Sequence, residues 1–128
     1  MTVGMPASTG DVLSAAMFNN LVVFTINPQS GSTYTVANSD LYQVLVQTTN
    51  ASTKTVTIAP DSTLTSAAVG SAITFINTGA GLLTFAAGSG VTIASAGAAP
   101  TAPTLAQYKS CVAIRTAANT WIISGAIA

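Results

Sequence analysis

The most unusual property of this chain is how little charge it carries. Only six of its 128 residues have charged side chains, three basic and three acidic, and the sequence contains neither His nor Glu. Charged residues usually make up about a quarter of a soluble domain, whereas they make up 5% of this sequence. Charge is therefore not what keeps the surface of this protein in solution. A neutral chain rich in Thr, Ser, Ala and Gly suits a protein whose surface is largely covered by copies of itself or by a host lattice.

The missing residue types also exclude most enzyme chemistry. Without His, neither a Ser-His-Asp nor a Cys-His arrangement can be built, and zinc loses its commonest nitrogen ligand. Asp40 and Asp61 are the candidates for a glycosidase-type pair. Each stands beside turn-forming residues, where an Asp side chain accepts backbone hydrogen bonds. The sequence also lacks the residue spacings of calcium-binding loops and of phosphate-binding loops. We therefore predict a non-enzymatic protein with no catalytic residue, no cofactor and no metal.

Nucleic acid and membranes are equally poor matches as partners. Nucleic-acid binding needs a basic stripe, and membrane-surface binding needs a basic amphipathic face. Neither can be formed by the three cations of this chain, Lys54, Lys109 and Arg115. No window offers about 18 consecutive apolar residues, and the N-terminus, MTVGMPASTGD, lacks the regions of a signal peptide. Cys111, the one cysteine, lies in an apolar run and is predicted to be a small buried hydrophobe rather than a reactive thiol.

Residues 9–21, TGDVLSAAMFNNL, are the one convincing helical stretch. Thr9 or Asp11 can cap this helix, and an apolar stripe follows at helical spacing through Leu13, Ala16, Met17 and Leu21. A stripe this short stabilises a free helix only weakly. Two interpretations stay open: a short helix packed on its own sheet, or a foot that packs on a neighbouring subunit.

The rest of the sequence predicts short strands separated by turns. β-Branched and aromatic residues dominate runs at 21–26, 33–36, 41–48, 54–58, 72–77, 82–86, 91–93, 111–116 and 120–124. Turn residues at 77–81 and 117–119 predict hairpins, and those at 88–90 a further tight turn. Residues 94–104 form a Pro/Ala/Gly loop. This spacing favours an antiparallel β-sandwich or barrel at residues 31–128, preceded by an N-terminal arm with the short helix at residues 1–30.

Edge strands and aromatic residues suggest where partners bind. The span from Ser62 to Tyr108 contains no charge, whereas proteins usually protect edges with charged residues or Pro. We therefore predict a homo-oligomer, most simply a trimer, with covered edges. Trp121 lies on an apolar strand and is predicted to be in the core. Tyr108 is the better surface candidate, so the predicted assembly contacts are Leu13, Met17, Leu21 and Tyr108.

The order of motifs from Ser39 to Gly125 resembles a β-module of tailed-bacteriophage virion proteins. Its parts are an opening Ser-Asp-Leu-Tyr at 39–42, a strand ending in Pro at 55–60, glycine-punctuated runs at 69–79 and 83–93, and a closing Asn-x-Trp…Gly at 119–125. Residues 10–21 also look like the segment that opens many phage tail-fibre and accessory structural proteins. The resemblance implies an oligomeric β-sandwich or barrel in the virion, without catalysis.

The resemblance does not by itself distinguish head from tail. A chain of 128 residues with no shaft, coiled coil or collagen-like repeat is short for a fibre. We therefore expect a capsid decoration (cement) protein on the virion surface, with the major capsid protein as partner. The alternative is a tail-associated receptor-binding module that recognises a host surface glycan.

Overall fold

A computed structural model describes residues 23–128, and regular structure within them is almost entirely β. Ten strands occur in this part of the chain, with one turn of 3-10 helix at Asn38–Asp40. The strands are β1 (Thr25–Gln29), β2 (Thr33–Thr35), β3 (Val44–Thr48), β4 (Lys54–Ile58), β5 (Ala72–Asn77), β6 (Leu83–Ala87), β7 (Thr92–Ser95), β8 (Thr104–Leu105), β9 (Lys109–Ala117) and β10 (Thr120–Gly125). The prediction of a mainly β fold is confirmed, and the predicted helix at residues 9–21 lies outside the described residues.

The strands form two mixed sheets between which the chain alternates. The first sheet has the order β1-β3-β5-β9-β10-β7 and the second the order β2-β4-β6-β8. Strands β1 to β6 alternate between the two sheets along the chain. Successive strands of one sheet therefore run in the same direction. Five of the eight strand pairings within residues 23–128 are parallel. The prediction of antiparallel pairing is wrong for these five pairings. Between the two strands of each parallel pair, the chain passes through a strand of the opposite sheet, which takes the place of a crossover helix.

The predicted hairpin at residues 77–81 is also wrong, because β5 and β6 lie in different sheets. The segment is a connection between the sheets, held by the buried side chain of Asn77. The Asn77 Oδ1 accepts hydrogen bonds from the Thr48 hydroxyl and the Gly79 N–H, and Nδ2 donates to the carbonyls of Gly81 and Leu105. The other predicted hairpin, which joins β9 to β10, is confirmed.

Inward-facing side chains of both sheets form one hydrophobic cluster. Phe75 of the first sheet meets Phe85 of the second edge to face, with ring centroids 5.0 Å apart. The alternation predicted for Lys54–Ile58 and for Ala72–Asn77 is confirmed by alternating burial along β4 and β5. Trp121 and Cys111 are both buried in this cluster, which confirms their predicted interior positions.

Strand β1 begins later and runs further than the sequence predicted. It starts at Thr25 and includes Asn27 and Pro28, which were expected to end it. Pro28 is tolerated because β1, among the strands of residues 23–128, lies at an edge and pairs with β3 alone. Residues 25–29, predicted to belong to the N-terminal arm, are thus an integral part of the first sheet.

Candidate interaction surfaces

The outer face of the first sheet is aliphatic and carries no charged side chain along its six strands. Alternate residues of a strand point away from the core, and the remaining outward positions here are Ala, Thr, Ser, Gln or Pro. Ile26 and Ile122 are 48% and 37% exposed. Strand register places Ile26 opposite Leu45 and Ile114 opposite Ile122. The bulky outward side chains are Ile26, Leu45, Ile76, Val112, Ile114 and Ile122. We call these six residues the aliphatic face; a surface of this kind is suited to burial against another protein.

The outer face of the second sheet has a different composition. Thr33, Thr55, Thr84 and Thr104 are aligned across all four strands. A second row consists of Thr35, Thr57 and Ala86. Threonine combines high β-propensity with a hydroxyl group that water can solvate. We call this the threonine face, and its composition is typical of a solvent-facing sheet.

Most of the few charges in the described part of the chain are buried or paired. Asp40 and Lys54 are 1% and 3% exposed, and Asp61 pairs with Arg115. Among the side chains of residues 23–128, this leaves Lys109 as the exposed, unpaired charge. The described surface therefore exposes even fewer charged groups than the composition indicates.

Asp40 is a structural carboxylate that joins the start of both sheets. Its oxygens accept hydrogen bonds from the Asn27 amide of β1 at 2.8 Å, the Tyr34 hydroxyl of β2 at 2.5 Å and the Ala37 N–H at 2.9 Å. Burial, together with the Asp40 carboxylate, raises the pKa of Tyr34 to about 12. The predicted turn-capping role of Asp40 is confirmed, while its links to Asn27 and Tyr34 were not predicted.

Asp61 fastens the long connection between β4 and β5 to the β9–β10 hairpin. Its carboxylate accepts two hydrogen bonds from the Arg115 guanidinium, at 3.1 and 2.7 Å, and one from the Asn119 N–H at 2.9 Å. These bonds, from Arg115 first, lower the pKa of Asp61. Both carboxylates that were considered for catalysis are thus engaged in holding the fold, and Arg115 is paired rather than simply solvated.

Lys54 is a buried cation that sequence reasoning missed. Its Nζ donates a hydrogen bond to the Asn50 carbonyl at 2.6 Å, and burial lowers its pKa. The signal was present in the sequence, because Lys54 shares the inward parity of Val56 and Ile58 on β4. The hydrogen bond ties the Lys54 side chain to the loop that precedes β4.

Tyr108 is the predicted contact residue that the structure places on the surface. It is 76% exposed and has a left-handed φ of 63°, and its N–H donates to the Asn77 carbonyl at 2.6 Å. Lys109 follows it. Leu82, 43% exposed, lies at the same end of the body because the neighbouring Gly81 carbonyl accepts from Asn77. The other predicted contacts, Leu13, Met17 and Leu21, lie outside the described residues.

A groove lies at the β7–β10 edge of the first sheet. Its volume is about 480 Å³. Ile122, at the border of the aliphatic face, forms part of its wall. The apolar lining, which sequence reasoning missed, consists of Ala94, Ala96, Ile122, Ile123 and Ile127. Finding it required the parallel pairing of β7 with β10, which no local pattern indicates.

The described residues contain no group of three or more His, Cys, Asp or Glu side chains that could hold a metal ion. Nor does a helix in residues 23–128 have the length and apolar character needed to cross a membrane. Comparison with protein-family models, curated proteins and solved structures found no match to this chain.

Proposed function

We propose that this protein is a non-enzymatic structural protein of a tailed-bacteriophage virion, and that it decorates the capsid. In this role it binds the major capsid protein and stabilises the head lattice as a cement protein. The observation that carries the proposal is the aliphatic face, whose six residues lie on five strands of a sheet with no charged side chain among its outward positions. Such a face is costly to leave in water and favourable to bury, at roughly 25 cal/mol per Å² of apolar area.

Two further features support a structural role. The carboxylates Asp40 and Asp61 are occupied by hydrogen bonds within the fold, and Cys111 is buried with its pKa raised by burial to about 12. The thiol is therefore a poor nucleophile. The motif order from Ser39 to Gly125 then favours a virion protein over other structural classes.

The architecture that we propose for the body is a β-sandwich. The two sheets face one another through a shared hydrophobic cluster, with Phe75 against Phe85 across it. In the assembled protein, neighbouring copies cover the aliphatic face, and the oligomer is a trimer. The threonine face is left towards solvent.

Localisation in purified particles tests the proposal directly. Antibody-labelled electron microscopy should place the protein on the head lattice in many copies, and quantitative mass spectrometry of particles should give a matching copy number. A few copies confined to the tail would overturn the decoration role. Absence from purified particles would overturn the virion assignment itself.

The exposed Tyr108 favours one alternative, a tail-associated module that binds a host surface glycan. An aromatic ring presented to solvent beside a cation is suited to stack on a sugar. Glycan-array binding that Tyr108→Ala abolishes and Tyr42→Ala leaves unchanged would support this alternative. Tyr42 is a matched control because it is also exposed, at 62%, and its hydroxyl donates to the Ser66 carbonyl elsewhere on the body.

A further inference from the structure

The edge groove and the point at which the N-terminal segment joins the body lie at opposite edges of the same sheet. The segment, residues 1–22, joins the body just before β1, which is one edge of the first sheet, and the groove is at the other edge, between β10 and β7. At about 4.8 Å between neighbouring strands, β10 lies about 19 Å and β7 about 24 Å from β1. The two features are therefore separated by most of the width of the molecule.

This separation limits what the segment can reach on its own molecule. Leu21 precedes Thr25, the first residue of β1, by four residues, a span of about 14 Å when fully extended. Leu21 of a given chain thus stops short of β10 in that chain. The complete stripe of Leu13, Met17 and Leu21 can enter the groove only from another molecule.

The chemistry of the groove and the stripe matches. The groove wall is aliphatic, with Ser95, Ser124 and Gly125 besides and no charged side chain. Its volume of about 480 Å³ falls within the range of roughly 300–1,000 Å³ for sites that enclose a drug-sized group, so it has room for several side chains. The apolar stripe of Leu13, Met17 and Leu21 offers aliphatic and thioether side chains that can fill such a groove.

We propose that the edge groove binds the N-terminal segment of a second copy of this chain, with Leu13, Met17 and Leu21 as the inserted side chains. This rests on the proposed function only in that the protein assembles with copies of itself. Because the segment joins the body at the edge opposite the groove, the contact is heterologous and repeats from one copy to the next until a ring closes. The trimer predicted from the sequence is such a ring.

Disulfide trapping tests this arrangement in the full-length chain. We would combine Met17→Cys with Ile122→Cys in a Cys111→Ala background and oxidise the assembled protein. The expected product on a non-reducing gel is a ladder of covalent oligomers that ends at the ring size. A monomer-sized internal disulfide would overturn the proposal, because it would place the segment on its own sheet, and so would the absence of any cross-link.

Matched controls separate specific docking from random collision. Met17→Cys combined with Thr35→Cys places the second thiol on the threonine face at a position that, like Ile122, is exposed, and it should give at most about a tenth of the cross-linked product. Equal cross-linking to Thr35→Cys would contradict the inference. If the ladder forms but the protein is absent from phage particles, the virion function fails while the exchange of N-terminal segments stands.

A charge substitution in the groove provides a second readout. Ile122→Asp should weaken association about tenfold or more, since an uncompensated carboxylate would be buried beneath the segment. Because Ile122 is 37% exposed in the single chain, the body should still fold, which circular dichroism would verify. Val69→Asp, at a residue that is 68% exposed and outside the groove, should leave the oligomer mass unchanged. An intact oligomer in folded Ile122→Asp would count against the groove as the docking site.

Discussion

The outer faces of the two sheets differ in composition, although the sheets share one interior. The first sheet presents Ile, Leu and Val side chains, whereas the second presents six threonines and one alanine in register across four strands. Both sheets contribute to the same hydrophobic cluster on their inner faces. The difference in composition therefore lies on the outer faces, which contact solvent or other molecules, and not on the inner faces that form the core.

A chain with almost no charged side chains has few ways to make a strand face soluble. Threonine is one of them, because it satisfies the conformational preference of a strand and still presents a hydroxyl group to water. The second sheet uses threonine at nearly every outward position, and the first sheet does so at few. We infer that the threonine face stays in solvent and that the aliphatic face is buried in the assembly.

The largest expected effect comes from the interior that the sheets share. Phe75→Ala should destabilise the body by about 3–5 kcal/mol, because it removes a fully buried ring from the contact between the sheets. Denaturant unfolding followed by Trp121 fluorescence would measure the loss. Phe85→Ala, on the other side of that contact, should cost a similar amount. A loss below about 1 kcal/mol for both would indicate that the sheets are not held together by this cluster.

The next prediction opposes the two outer faces directly. Ile114→Asp on the aliphatic face should reduce self-association about tenfold or more, because assembly would then bury a carboxylate with no partner. Thr57→Asp on the threonine face should leave association within about twofold, since that position remains in water. Both residues are partly exposed in the single chain, so neither variant is expected to prevent folding. Sedimentation velocity over a concentration series would compare them, and equal effects would remove the distinction between the faces.

How far the sequence predicts this fold depends on the range of the interaction. Lys54–Ile58, Ala72–Asn77 and the β9–β10 hairpin are encoded by local alternation and turn residues, and the structure has them as expected. The pairing of β1 to β6 was not predictable in the same way. A glycine-containing connection such as residues 77–81 is equally compatible with a hairpin and with a passage between sheets, and only the tertiary packing of Asn77 decides.

The candidate surfaces were predictable only in part for the same reason. The exposure of Tyr108 and the interior position of Trp121 follow from their local surroundings, and both were predicted. The threonine and aliphatic faces depend on register between distant strands, with partners 19 positions apart for Thr25 and Val44, 29 for Lys54 and Leu83, and 42 for Ala72 and Ile114. Parallel pairing between distant segments leaves little local signal.

A smaller effect should appear in alkaline solution, where the Asp40 network joins the start of the two sheets. The pKa of Tyr34 is raised from 10.0 to about 12, by burial first and then by Asp40. A raised pKa means that the stabilising contribution is complete below pH 10 and is lost as the pH rises towards 12. The free energy of unfolding of the wild type should therefore fall more steeply across this window than that of Tyr34→Phe, which has no phenol to ionise.

Comparing the wild type with Tyr34→Phe separates the ionisation of Tyr34 from that of the other groups that titrate at alkaline pH. The Cys111 thiol, with its pKa raised to about 12 by burial, and Lys54, with its pKa lowered, contribute equally to both. Urea unfolding at several pH values between 10 and 12 gives the two slopes. Parallel slopes would show that folding does not raise the pKa of Tyr34.

The smallest expected effect is that of salt on assembly. If apolar burial at the aliphatic face holds the copies together, screening has almost nothing to act on, because Lys109 is the exposed and unpaired charged side chain of residues 23–128. Raising NaCl from about 0.1 M to 1 M shortens the Debye length from about 10 Å to 3 Å, yet the oligomer mass and the occupancy of particles should stay nearly unchanged. Light scattering and quantitative gels of washed particles would measure both. Release by salt alone would mean that an ionic contact, with Lys109 the first to test by Lys109→Gln, dominates over the aliphatic face.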